Sequence, residues 1–192
     1  MQNINDAELI NRARNRRNDP TAGAAAIGEL YDRYHESIFR YIWSRVSDQQ
    51  LAEDLTGDVF TRMVTHLPKY RNTGVPFQAW LFRIARNLVI DSHRKVSARK
   101  ELPLESVINK STGEHDPAQI VEEQIFIEQI LSVLQVLKPI KQDVITLRFI
   151  VGLSLQEVAK VLGKTTGSIK ITQHRALKEL RTNLESKIGE EK

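Results

Sequence analysis

The chain has 192 residues, 41% hydrophobic and 27% charged, with a formal net charge of +4 and no cysteine. That apolar content suffices for packed cores and excludes global disorder, and the missing cysteine excludes disulfides and thiolate metal sites. No stretch approaches the roughly 18 apolar residues a membrane helix needs, and MQNINDAELINRARNRR holds no signal-peptide core, so a cytoplasmic protein without membrane insertion is expected.

In chain order, a short amphipathic helix before Pro20 carries Leu9, Ile10 and Ala13. Leu30, Tyr34, Ile38, Ile42 and Val46 recur at helical spacing and predict a helix over Glu29–Val46. Leu51, Leu55, Val59, Met63 and Leu67 predict another over Leu51–Leu67. KYRNTGVP, Lys69–Pro76, is turn-rich. Pro76 suits the first turn of the helix FQAWLFRIARNLVIDSHRK, whose apolar face is Phe77, Leu81, Ile84 and Leu88. Ser97–Gln119 loses the periodicity, gathers Pro103, Gly113 and Pro117, and reads as a linker. Helices resume near Ile120, with Ile125–Leu137 strongly apolar, Pro139 as punctuation and Lys141–Val151 helical. With glycines few and strand-like runs scarce, the expected fold is all-α: two small helical domains, residues 1–96 and 120–192, joined by a flexible acidic linker at 97–119.

LSLQEVAKVLGKTTGSIKITQHRALKEL, Leu153–Leu180, has the form of a helix-turn-helix. Ser154 and Glu157 stand at capping-box spacing, Gly163 sits where a left-handed residue ends a helix, and Thr165 or Thr166 can cap the next one. Leu155, Val158, Ala159 and Leu162 face inward from the first helix, and Ile169, Gln173, Ala176, Leu177 and Leu180 from the second, with Gln173 an imperfect fit. The first half of the second helix can offer Ser168, Lys170, Ile171 and Thr172 to base edges, and Lys164, Arg175 and Lys178 suit phosphates. A plain αα-hairpin is the alternative.

Charge is distributed in blocks. Arg83, Arg86, Arg94, Lys95, Arg99 and Lys100 face only Asp91 between Trp80 and Lys100, and the second helix of the helix-turn-helix is basic as well. Between them, Glu101–Glu128 holds seven acids against Lys110. Two basic blocks on separate domains are the electrostatic footprint of a polyanion partner. Phe77 and Trp80 are assigned to packing. Arg83, Arg86, Arg94 and Lys95 cannot all be buried unpaired and would form a rail for phosphates. The loop Tyr70, Arg71, Asn72 and Thr73 combines an aromatic with hydrogen-bonding side chains that can hold an unstacked base; the competing reading is a simple connection. The five histidines lack metal-ligand spacing and no glycine loop cradles a phosphate. No metal, cofactor or catalytic activity is expected.

AEDLTGDVF (Ala52–Phe60), PFQAWLFRIARNLVIDSHRK (Pro76–Lys95) and the helix-turn-helix, in this order and spacing, resemble bacterial sigma factors of the extracytoplasmic-function group over roughly Ala22 to Lys187. The resemblance implies a factor that binds core RNA polymerase and recognises two promoter elements. Glu53, Asp54 and Asp58 would meet the clamp coiled coil of the β′ subunit. The loop Lys69–Val75 and the helix bearing Arg83, Arg86, Asn87, Asp91, Arg94 and Lys95 would recognise and open the −10 element. The C-terminal domain would dock on the β flap and set Thr166–Lys178 in the −35 major groove. An anti-sigma factor is the implied regulator, and the acidic linker would thread a basic polymerase channel or serve as a solvated tether. Two departures stand out: Gly57 occupies a helical position usually polar in the family, and Ile171-Thr172 replaces a frequent Ser-Arg pair. The competing function is a stand-alone helix-turn-helix regulator, which would leave the first domain's basic helix unexplained.

Overall fold

The computed structural model describes residues 4–71, 74–100 and 133–190, with side chains described to 96 and to 185 in the last two stretches. Among the described residues the helices with defined bounds are α1 (Asp6–Arg14), α2 (Pro20–Val46), α3 (Gln49–His66), α4 (Phe77–Lys100), α5 (Pro139–Ile145), α6 (Leu155–Leu162) and α7 (Thr166–Glu190). The linker expected at 97–119 falls almost wholly outside the described residues, as does most of the apolar run before Leu137.

In the N-terminal half, α1 to α4 pack around Leu30, Ile38, Ile42, Val59, Met63, Leu81 and Phe82, all fully buried. Helix α2 begins nine residues before the expected Glu29. Asp19 accepts from the Ala22 N–H at 3.0 Å, and Pro20 occupies the first helical position, where a missing N–H leaves no bond unmade. The reason this start escapes periodicity is composition: TAGAAAIG is small rather than patterned. Gly23 is needed there, because a Cβ would sit 2.4 Å from Arg16 Cβ and 2.6 Å from its Cα. Helix α2 ends at Ser47 in the left-handed region (φ 56°), and Asp48 at once caps α3 through the Leu51 N–H at 2.9 Å. Pro76 lies one place earlier than expected: its carbonyl accepts the first bond of α4, from Trp80 N–H at 3.0 Å.

The C-terminal half confirms the local reading of the helix-turn-helix. Ser154 Oγ accepts from the Glu157 N–H at 3.2 Å, and the Glu157 carboxylate accepts from the Ser154 N–H at 2.7 Å. Gly163 closes α6 at φ 62°, with the Lys164 N–H returning to the Ala159 carbonyl. Thr165 Oγ1 accepts from the Ser168 N–H at the start of α7. Ile169 and Ala176 are buried, whereas Leu177 is exposed. Gln173 tolerates its inward place because its side-chain oxygen accepts from Arg148 at 3.2 Å. The expected helix Lys141–Val151 is split: α5 is followed by a π-helical segment, Thr146–Ile150.

The two halves do not stand apart. Helix α6 lies against α4, the π segment lies against α2, and one apolar cluster runs from Leu81 and Phe82 to Val144, Leu147, Val158 and Ile169.

Candidate nucleic-acid interface

At the junction of the halves, Asp143 on α5 is 2% exposed. Three groups from the N-terminal half surround it. Tyr41 donates its hydroxyl at 2.9 Å, Arg86 donates Nε at 2.8 Å, and Arg45 Nε lies at ion-pair distance, 3.1 Å, without hydrogen-bond geometry. A carboxylate removed from water needs this degree of compensation. Burial, reinforced by the Asp143 charge, pushes the pKa of Tyr41 well above its ordinary value, so the phenol stays protonated and donates. Beside them the Ser44 and Thr146 hydroxyls are hydrogen-bonded at 3.2 Å, and Gln135 donates to Ser47 at 2.9 Å. Arg83 reaches the end of α6 and gives Nε to the Lys160 carbonyl at 2.8 Å, satisfying one of the acceptors a helix leaves open at its C-terminus.

The expected phosphate rail is therefore divided. Arg83 and Arg86 are partly buried in bonds to the C-terminal half, while Arg94 and Lys95 are exposed beyond it. Asn87, Asp91 and Arg94 do share a face, as their spacing predicts; Arg94 stays open, 82% of its side chain exposed, with Asp91 3.9 Å away. Such a surface pair contributes little energy. Asp58, Arg62, Arg94 and Lys95 border an open cleft of about 1450 Å³ between α3, the end of α4 and residues 135–142.

Tyr70 lies elsewhere than a base-stacking role requires. It is 7% exposed, its ring packs at 5.7 Å from Phe77 and 5.0 Å from Trp80, and its hydroxyl donates to the Val75 carbonyl at 3.0 Å. In this conformation Tyr70 is the floor of the loop. Arg71 is exposed, donating to the Pro68 and Tyr70 carbonyls at 3.1 Å. Asn72 and Thr73 lie outside the described residues. Phe77 and Phe82 are core, and Trp80 is half-buried against it.

Glu53, Asp54 and Asp58 are all exposed on α3, with Gln49 donating to Glu53 at 3.0 Å. On α7, Thr166, Ser168, Lys170, Ile171, Arg175 and Lys178 are exposed, as is Lys164 in the turn; Thr172 is half-buried. No ion pair neutralises Lys164, Lys170, Arg175 or Lys178 among the described residues. This is a cationic helical face that none of the described residues covers.

Sequence reasoning missed Asp143, Tyr41 and Arg45. A signal existed: Asp143 stands four residues before Leu147 on an apolar stripe, and Tyr41 and Arg45 continue the stripe of Tyr34 and Ile38. A carboxylate on one buried face and an arginine on another are a complementary pair, but spacing does not say that the two faces meet.

Residues 30–99 match the Sigma-70 region 2 family and residues 133–182 the Sigma-70, region 4 family. The chain is 38% identical over 174 residues to the ECF RNA polymerase sigma factor BldN of Streptomyces coelicolor, covering 90% of this chain but 63% of that relative, so it spans less than two thirds of BldN. It is 31% identical to the ECF RNA polymerase sigma factor SigD of Mycobacterium tuberculosis, over 83% of this chain and 77% of SigD. Its fold is similar to that of CnrH, solved in complex with the cytosolic domain of CnrY: TM-score 0.72 at 23% identity, over 94% of this chain and 97% of that one.

Proposed function

The chain belongs to the extracytoplasmic-function sigma factors, and from that premise we propose that it binds core RNA polymerase and directs it to promoters by reading a −35 and a −10 element. The observation that carries the reading is the pair of surfaces left open: the acidic face of α3 and the uncovered cationic face of α7, held on separate halves of one chain. Glu53, Asp54 and Asp58 are the polymerase contacts. Lys164, Thr166, Ser168, Lys170, Thr172, Arg175 and Lys178 serve the −35 element with Ile171. Phosphate contacts supply salt-dependent affinity, and base contacts add roughly 1–3 kcal/mol of discrimination each. No covalent step is involved. The protein acts where polymerase is, in the cytoplasm; among the described residues no helix is long and apolar enough to cross a membrane.

The −10 element falls to Arg71, Asn72, Thr73, Asn87, Asp91, Arg94 and Lys95, joined by Arg83 and Arg86 once the halves separate. The docked form occupies those two arginines with Lys160 and Asp143, so promoter engagement requires undocking. An anti-sigma factor is the partner that would oppose this step. Tyr70 would have to leave its packing on Phe77 and Trp80 to stack on a base, so the loop's grip is assigned to Arg71, Asn72 and Thr73.

Run-off transcription with purified core polymerase and a genomic promoter library tests the function. Promoter-dependent transcripts that require the protein are expected; their absence across the library overturns the proposal. Arg83→Ala combined with Arg94→Ala is expected to impair strand opening with core binding retained. Loss of core binding instead would contradict the assignment of roles. A stand-alone regulator would bind duplex promoter DNA tightly without core polymerase.

A further inference from the structure

Residues Ile169, Gln173, Ala176 and Leu180 mark the inward side of α7. At 100° per residue, the opposite side over its first three turns is Gly167, Ile171, His174, Arg175 and Lys178, all exposed. Ile171 is at the centre of that side and is 56% exposed, the most open large apolar side chain among the described residues. Single exposed apolar residues are ordinary on protein surfaces. The position of this one is not ordinary, because it lies in the half of the helix that enters the groove, among cations.

Its neighbours sharpen the point. The Thr172 hydroxyl donates to the Ser168 carbonyl at 2.8 Å, so its proton is already committed within the helix. Gly167, one turn before Ile171, has no side chain, and a Cβ there would meet nothing within 4 Å. The middle of the reading face therefore presents carbon rather than a donor fork. Within the major groove only one base carries an apolar group on its edge, the C5-methyl of thymine.

We propose that Ile171 reads the C5-methyl of a thymine in the −35 element, making that methyl a specificity determinant. The proposal rests on the assignment of α7 as the −35 reader. Lys164, Arg175 and Lys178 hold the helix to the phosphates. Ile171 then gains contact only where a methyl faces it, and packs against a polar edge at every other base pair.

The test uses reconstituted holoenzyme with the full chain. Promoters are first selected from a pool randomised through the −35 element. The wild type is expected to fix a thymine at one position. Replacing that thymine by deoxyuridine, which removes only the methyl, should weaken binding about three- to fivefold, the effect of losing one buried methyl. Deoxyuridine at other thymines should not. Ile171→Ala should bind the thymine promoter more weakly and no longer distinguish it from the deoxyuridine one, the non-additivity expected of a direct contact. Sequence-selective binding that is indifferent to every thymine methyl overturns the inference and leaves the −35 assignment standing. Absence of any sequence-selective −35 binding overturns the assignment itself. A loss in Ile171→Ala confined to core-polymerase affinity, with thymine and deoxyuridine still distinguished, shows that the side chain serves a protein contact and overturns the inference.

Discussion

Gly57 and Gly23 show how one residue type can mean opposite things. Gly57 is exposed on α3, and a Cβ there would meet nothing within 4 Å. Glycine in a helix interior costs about 1 kcal/mol relative to alanine, so Gly57→Ala should raise stability by that amount in chemical denaturation. Gly23→Ala should lower it, because the added carbon meets the backbone of Arg16, which cannot swing aside. Tyr41 makes a pH-dependent contribution. Its burial raises its pKa in the folded state, so the unfolded chain loses the phenol proton first, near pH 10. The contribution is complete below that pH and is lost as pH rises above it, at about 1.4 kcal/mol per pH unit for one tyrosine. Denaturation at pH 9, 10 and 11 should show stability falling, with Tyr34 and Tyr70 contributing in the same direction, and Tyr41→Phe should make the fall less steep. Equal slopes for the two proteins would remove Tyr41 from the account.

Helix α6 is eight residues long, too short to persist alone. It is held by the Ser154–Glu157 capping box, by Gly163 and by the burial of Val158, Ala159 and Val161. Ser154→Ala should cost about 1 kcal/mol, visible as faster hydrogen exchange in the α6 amides. Unchanged exchange would mean that packing alone holds the helix. The bond from Arg83 to the Lys160 carbonyl places a cation at the negative end of the same helix, which favours the contact further. Among the described residues none covers the outer side of helix α7, and that openness is what suits it to a groove.

At the scale of the molecule, the two halves meet through buried polar groups as well as apolar ones. Removing one member of a buried charge cluster costs roughly 3–5 kcal/mol. Asp143→Ala leaves Arg45 and Arg86 without their carboxylate. Since each half keeps helices packed on its own side chains, the expected result is undocking rather than unfolding: unchanged helical circular dichroism with a larger radius of gyration in solution scattering. Unchanged scattering would show that the apolar contacts of α4 with α6 suffice to keep the halves together.

The helices and the helix-turn-helix with its caps were legible from the sequence by itself, because 3.6-residue periodicity, a capping box and a left-handed glycine are local and each leaves its own mark on the chain. The small-residue start of α2 and the π segment after Ile145 were not, since neither carries a periodic apolar signal. Tyr70 looked available for stacking because composition cannot tell a loop's floor from its rim; the Val75 carbonyl and the rings of Phe77 and Trp80 decided it. Only the tertiary structure joined Asp143 to Tyr41, 102 residues away, and so occupied Arg86. The physical reason is the cost of burying charge: an apolar stripe states which side of a helix must leave water, but a buried carboxylate is stable only opposite its cations, and that partnership exists only once the chain has folded.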